Sequence, residues 1–184
     1  MKRYTYYIIA LLALLSSCTN AEFEFSGYPC YFVFNNSASQ SPALASATNP
    51  ASPGIFCKIT LADATHFGFQ TNQGLSDRVA MTAIDQQRDI TLGVYNGTGI
   101  IVGYGNLSTP AVFYAYDSQC PNCFGNSNLP RYALTMHTDG TAECSSCHRI
   151  YDMNNDGLVI SGDAGEKLIR YHANASNGVV SVIN

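Results

Sequence analysis

The chain has 184 residues, 46% hydrophobic and only 12% charged, with a formal charge of −4. That length allows one domain with a real core. An acidic chain without a basic run is a poor partner for nucleic acid, whose backbone is held by Lys and Arg. Tyr, Thr, Asn, Ser and Gly fill the place of charge, a composition that suits an exported β protein.

The first 17 residues read as a leader rather than as part of the fold. Lys2 and Arg3 form a positive start, and the apolar run from Tyr7 to Leu15 is too short to span a bilayer as a helix. Leu15-Ser16-Ser17-Cys18 resembles the lipobox of bacterial lipoproteins. That resemblance makes residues 1–17 a signal peptide and Cys18 the lipid-carrying N-terminus of the mature protein, since more than one acyl chain anchors firmly. It places the protein in the bacterial cell envelope, bound to the membrane through its lipid. Thr19 stands where some bacteria use Asp for inner-membrane retention, so the outer membrane is favoured. Removing Lys2 and Arg3 takes the formal charge to −6. Lys2-Arg3 is not a twin-arginine pair, so export threads an unfolded chain and any metal binds outside the cytoplasm.

Residues 18–27 read as a tether and 28–184 as a single domain. Tyr31 to Phe34 is strand-like. A polar stretch from Ser37 to Pro53 follows, with a short helix near Leu44. Ile55 to Thr60 returns as strand, and Leu61 to Gln73 shows no clean period. Short strands are expected over Arg78 to Ala83, Ile90 to Tyr95, Gly99 to Tyr104 and Ala111 to Tyr116, with Asn96-Gly97 as a hairpin turn. Tyr132 to Thr138 turns at Asp139-Gly140 into Thr141 to Glu143. A last hairpin joins Lys167–His172 to Val179–Ile183 across Asn177-Gly178. Many short strands without a long amphipathic helix mean an all-β antiparallel sandwich or barrel.

Seven cysteines divide by position. Cys120-Pro121-Asn122-Cys123 and Cys144-Ser145-Ser146-Cys147 are two Cys-x-x-Cys knuckles at the spacing of a tetrahedral sulfur site for a soft metal. Two small disulfide loops, or pairing across the knuckles without metal, are the alternative in an oxidising compartment. Cys30 and Cys57 flank strand-like runs. They are either a disulfide closing a loop of ~27 residues, worth roughly 3 kcal/mol, or two buried thiols, and the compartment favours the bond.

Two shorter motifs overlap the knuckles. Cys144-Ser145-Ser146-Cys147-His148 also reads as a c-type haem attachment, which would leave Cys120 and Cys123 without a role. Asp152, Asn154, Asp156 and Asp163, with Gly157, match a calcium-loop spacing in a context that lacks flanking helices. His148 reads as an exposed loop residue beside the sulfur cage and a candidate hydrogen-bond donor to it. His66, His137 and His172 are scattered, and no nucleophile motif or phosphate loop appears, so no catalytic residue is assigned.

The stretch from about Ala115 to Val182 resembles a Rieske domain. Cys120 stands at the first ligand box and Cys144 at the second. Tyr151-Asp152 matches the aromatic-Asp pair that follows, and Asp156-Gly157-Leu158-Val159 the turn and strand. Gly162-Asp163-Ala164 sits at the Gly-Pro-Ala step, with Leu168 and Tyr171 beyond it. The resemblance implies a Rieske-like sandwich with a small rubredoxin-like metal subdomain over about residues 117–152. Both histidine positions depart from the family: Asn122 is at the first, beside Cys123, and Cys147 is at the second. The implied ligand set is four cysteines, holding zinc or a single iron, with a two-iron two-sulfur cluster left open. Two functions follow: a metal-stabilised binding or assembly module, or an electron-transfer protein. The partner, an envelope protein or a redox protein, has no signature in the chain.

The lipid assignment is tested by labelling cells with clickable palmitate. The wild-type protein is expected to carry the label and Cys18→Ala to lose it completely; label on the variant removes the lipobox reading.

Overall fold

The computed structural model describes residues 24–184. The leader, the lipobox and Cys18 lie outside the described residues. Twelve strands and four short helices follow in order. Strand β1 (Tyr31–Asn35) leads into helices α1 (Asn36–Ser39) and α2 (Pro42–Ala47). Strands β2 (Phe56–Asp63), β3 (His66–Thr71) and β4 (Ser76–Ala80) precede helix α3 (Ala83–Gln86). Next come β5 (Ile100–Tyr104), β6 (Phe113–Asp117) and helix α4 (Pro121–Ser127). Then β7 (Leu134–Met136), β8 (Thr141–Cys144), β9 (Ile150–Asp152), β10 (Leu158–Ser161), β11 (Ala173–Ser176) and β12 (Val179–Ile183) complete the chain.

The strands make three antiparallel sheets, ordered β1-β12-β11, β4-β3-β2-β5-β6 and β10-β9-β8-β7. The first two pack face to face. Phe32 and Phe34 pair with Val182 and Val180 and meet Ile59, Phe67, Phe69, Ile100 and Val102 from the five-stranded sheet. Phe67 stands edge-on to both Phe32 and Phe34, with ring centres 5.5 Å apart in each pair, the geometry aromatic quadrupoles prefer. Helix α2 closes this core with Ala43, Leu44 and Ala47. Ser41 caps the helix and Pro42 starts it. Asp77 of β4 accepts from Ser41 Oγ and from the Ala43 amide, each at 2.9 Å.

The other face of the five-stranded sheet is buried as well. Phe56, Ile101, Tyr114 and Tyr116 pack against Leu134, Ala142, Tyr151 and Met153 of the four-stranded sheet and its loops. This explains the unbroken run Ile100-Ile101-Val102: alternate residues serve two cores, so all are apolar. The four-stranded sheet is therefore fastened to the β5–β6 end of a larger support.

Several expectations change. Leu61 to Gln73 belongs to a hairpin of β2 and β3 with one register shift between Leu61 and Asp63, because Phe67 and Phe69 alternate into the core. An Asx turn hides that period: Asp63 Oδ1 accepts the Thr65 amide at 2.7 Å. Ile90 to Tyr95 is a loop with one bridge, Thr91 to Tyr31. Asn96 does not turn a hairpin; its side chain accepts from the Leu92 amide at 2.6 Å and donates to the Ile90 carbonyl. The Arg78 to Ala83 strand sits earlier, at Ser76–Ala80, and Thr82 caps α3. Lys167 to His172 lies beside β6 through the Tyr116–Arg170 bridge, and the last hairpin starts at Ala173. Its turn is at Asn177-Gly178, as expected, both with positive φ of the kind a two-residue hairpin demands. Residues 24–27, assigned to the tether, lie against the domain: the Ser26 amide donates to the Arg170 carbonyl at 2.8 Å.

Cys30 and Cys57 are not bonded. They are separate buried thiols, one entering β1 and one on β2, in two sheets that pack on each other without pairing. Burial pushes the Cys30 thiol up to about 12 and the Cys57 thiol higher still, so little thiolate forms at either near neutral pH. Folded protein incubated with iodoacetamide at pH 8 should keep both thiols unmodified, and both should alkylate after unfolding without reductant. A mass shift showing a Cys30–Cys57 bond in exported protein would reverse this correction.

Candidate metal centre

Each knuckle is shaped by its own element. Cys120 leaves a short extended stretch, with its amide donating to the Tyr132 carbonyl at 2.8 Å. It is the N-cap of α4, and Pro121 occupies the first helical position, where a missing N–H removes no helical bond. The first helical turn swings Cys123 back toward Cys120, and the Cys123 amide donates to the Cys120 sulfur. The second knuckle is the turn of the β8–β9 hairpin: the Cys144 amide donates to the Arg149 carbonyl at 3.0 Å. His148 takes a left-handed conformation, φ 56°, which reverses the chain and turns the Arg149 amide onto the Cys147 sulfur.

The four sulfurs all lie within 4.8 Å of one another. Cys120 Sγ is 3.7 Å from Cys147 Sγ, and Cys123 Sγ is 3.8 Å from Cys144 Sγ. A disulfide needs ~2.05 Å, so neither pairing is a covalent bond, and all four thiols are free. A tetrahedron with metal–sulfur bonds of ~2.3 Å has edges of roughly 3.8 Å. The donor set fits one metal ion. Cys120 and Cys144 are buried in the core of the four-stranded sheet, while Cys123 and Cys147 are half-buried at its rim.

Three side chains hold the cage. Tyr151 Oη lies 3.1 Å from Cys120 Sγ and 3.0 Å from Asn122 Nδ2. The amide donates into the hydroxyl, so the hydroxyl hydrogen points at the sulfur. Burial, with Cys120 beside it, raises the Tyr151 phenol and keeps that hydrogen in place. The amide orientation of Asn122 is fixed by Glu166, whose N–H donates to Oδ1 at 3.0 Å and whose carbonyl accepts from Nδ2 at 2.9 Å. Arg149 donates to the carbonyls of Asp163 and Ala164 at 2.9 and 3.2 Å. Residues 162–166 are thus a third loop tied to both knuckles. Gly165 has no room for a Cβ, because the Asn122 amide occupies that space.

The thiols differ in their readiness to ionise. Burial pushes Cys120 and Cys123 up. Burial also acts on Cys147, yet the Arg149 amide and guanidinium and the neighbouring thiols outweigh it and bring that thiol to about 7. Cys147 is therefore disposed to ionise, and loading a cation releases the protons that the cage still holds.

The structure brings together Cys120, Cys123, Cys144 and Cys147, and it corrects three other readings. His148 is exposed as expected, 78% on its side chain, but among the described residues that side chain makes no hydrogen bond to a sulfur; Nδ1 is 3.8 Å from Glu143, and its contribution is its backbone turn. The haem reading fails because the Cys144 and Cys147 sulfurs face Cys123 and Cys120 within one cluster. The calcium loop is not a cation site. Asp156 is held at 2.8 Å by both Lys167 and Arg170, and Asp152 accepts the Asn154 amide at 2.9 Å. Sequence reasoning missed the bonds of Tyr151, Asn122 and Arg149. The resemblance drawn from the sequence marked the positions of Tyr151 and Asn122 but gave neither of them a bond.

Comparison with known family models, curated proteins and solved structures found no match to the chain.

Metal loss should loosen one region first. With a strong chelator, amides of β7 to β10 are expected to exchange faster while β2, β3 and β5 stay protected, because the cysteines sit in the small sheet's own core. Cys144→Ser should abolish stoichiometric metal and lower thermal stability more than Ser145→Ala, whose side chain is exposed. Uniform exchange across all three sheets would count against a local brace.

Proposed function

We propose that the chain is a lipid-anchored protein of the bacterial envelope in which a Rieske-like β domain is braced by one tetrathiolate metal ion, zinc, and serves as a binding or assembly module. The observation that carries this reading is the convergence of four sulfurs at single-ion spacing from two separate elements. The strands of the four-stranded sheet are only three or four residues long, too short to be stable alone. An ion that joins α4 to the β8–β9 turn supplies folding free energy where the hydrophobic core is smallest. A two-iron cluster spreads its sulfurs over two metal atoms and needs a longer cage, so one ion is favoured. Export of an unfolded chain favours an ion over a preassembled cluster.

The Rieske-like assignment draws support from the order of the loops. Two ligand loops are followed by a third, 162–166, that lies across both. Lipidation at Cys18 and outer-membrane placement rest on the lipobox and on Thr19.

A second reading is favoured by a specific observation. The Tyr151 hydroxyl bonds to a ligand sulfur, and Cys123 and Cys147 reach the surface. A single iron in that setting would be a one-electron carrier, with the hydroxyl stabilising negative charge on sulfur. Metal analysis of protein from its own host decides between the readings. A braced module contains one zinc per chain, is colourless and shows no voltammetric wave. One iron per chain with a red colour and a reversible one-electron wave would replace the module by the carrier. The absence of either metal at stoichiometric level would remove both.

A further inference from the structure

The first described residues fix where the tether leaves the domain. Arg170 holds them: its guanidinium is 2.9 Å from the Glu24 carboxylate and 4.9 Å from the centre of the Phe25 ring, and its carbonyl accepts the Ser26 amide at 2.8 Å. Tyr28 then meets Phe124 edge-on, with ring centres 5.9 Å apart. Phe124 follows the ligand Cys123 directly. A cleft of about 300 Å³ runs between Glu24, Ser26 and Tyr28 on one side and Pro121, Phe124 and Gly125 on the other. The chain therefore enters the domain beside the first knuckle.

Cys18 is six steps along the chain from Glu24, and even a fully extended chain of that length spans at most about 22 Å. With acyl chains on Cys18, that short tether keeps the knuckle end of the domain near the bilayer. The surface around the exit has matching chemistry. Tyr28 is 42% exposed and Leu129, just past α4, is 45% exposed. Arg131 places its guanidinium 5.3 Å from the centre of the Tyr132 ring. Tyrosine, arginine and leucine side chains suit a headgroup boundary, apolar at one end and polar at the other. The far edge of the five-stranded sheet is β4, with Ser76, Arg78 and Ala80 exposed. It lies four strand spacings, roughly 19 Å, beyond β6, the strand that Arg170 bridges.

We propose that residues 24–28, α4 and the 128–132 loop form a surface that faces lipid headgroups, so the sulfur cage is held at the membrane. This inference rests on lipidation of Cys18, and the two can fail separately.

The test uses the full chain, exported and processed in a bacterial host, then reconstituted into vesicles of phosphatidylethanolamine and phosphatidylglycerol. A photo-crosslinking phenylalanine analogue replaces Leu129 in one variant and Ala80 in another. Both variants are expected to float with the vesicles. The variant at 129 should crosslink to lipid, and that product should be lost at 80. Floating protein that crosslinks equally at both positions, or not at 129, overturns the orientation while leaving the anchor intact. Protein that carries no acyl chain by mass and does not float overturns the anchor and the orientation with it.

Discussion

Four thiolates within 4.8 Å would be a costly arrangement without a cation. Two unit charges at that range repel by roughly 3 to 4 kcal/mol even at an effective dielectric of about 20, and burial adds a desolvation penalty for each thiolate. The protein accepts this crowding where its own core is thinnest. A divalent ion reverses the sign of the problem: each sulfur becomes a bond, and segments far apart in sequence become one unit. The shape of the four-stranded sheet, the course of the 162–166 loop and the position of α4 all follow from where those sulfurs meet.

The support for that unit is a sheet buried on two faces. Its β5 and β6 strands give Ile100 and Val102 to one core and Ile101, Tyr114 and Tyr116 to the other. A buried carboxylate sits at the seam. Asp117 ends β6 and accepts from the amides of Val94 and Gln119 and from the Tyr171 hydroxyl, at 2.8, 2.7 and 2.8 Å. Burial raises this carboxyl above its ordinary range, and those three donors oppose the rise. The group fixes the start of the first knuckle, three residues before Cys120, relative to the loop and strand on either side. The cage is held by the main sandwich as well as by its own two knuckles.

Arg170 does a similar job on the outside. It reaches Glu24 and Asp156 and lies 4.8 Å from the centre of the Tyr114 ring. One cation thus ties the beginning of the domain to the turn after the second knuckle. That turn has the spacing of a calcium loop, and the same acidic residue that would bind calcium instead pairs with Lys167 and Arg170. Spacing alone could not separate the two outcomes, because the cations come from a different stretch of chain.

What the sequence alone determined is local chemistry and periodicity. The paired Cys-x-x-Cys motif named all four members of the cage, since two residues between sulfurs let both face one point. Short runs of β-branched and aromatic residues between turn signals identified β1, β2, β5, β6 and a predominantly β chain, and Asn177-Gly178 marked a turn that only small or left-handed residues make. Tertiary structure decided what depends on distant partners. Cys30 and Cys57 looked like a staple, and each is a separate buried thiol in the core between two sheets. Ile90 to Tyr95 reads as a strand, yet the Asn96 side chain bonds back to its backbone while β2 and β6 take both edges of β5. His148 was chosen by its position next to a ligand, but a left-handed turn faces it toward Glu143, and Tyr151 and Asn122 make the bonds instead. Their roles arise only when β9 and α4 meet, a contact that no local pattern records.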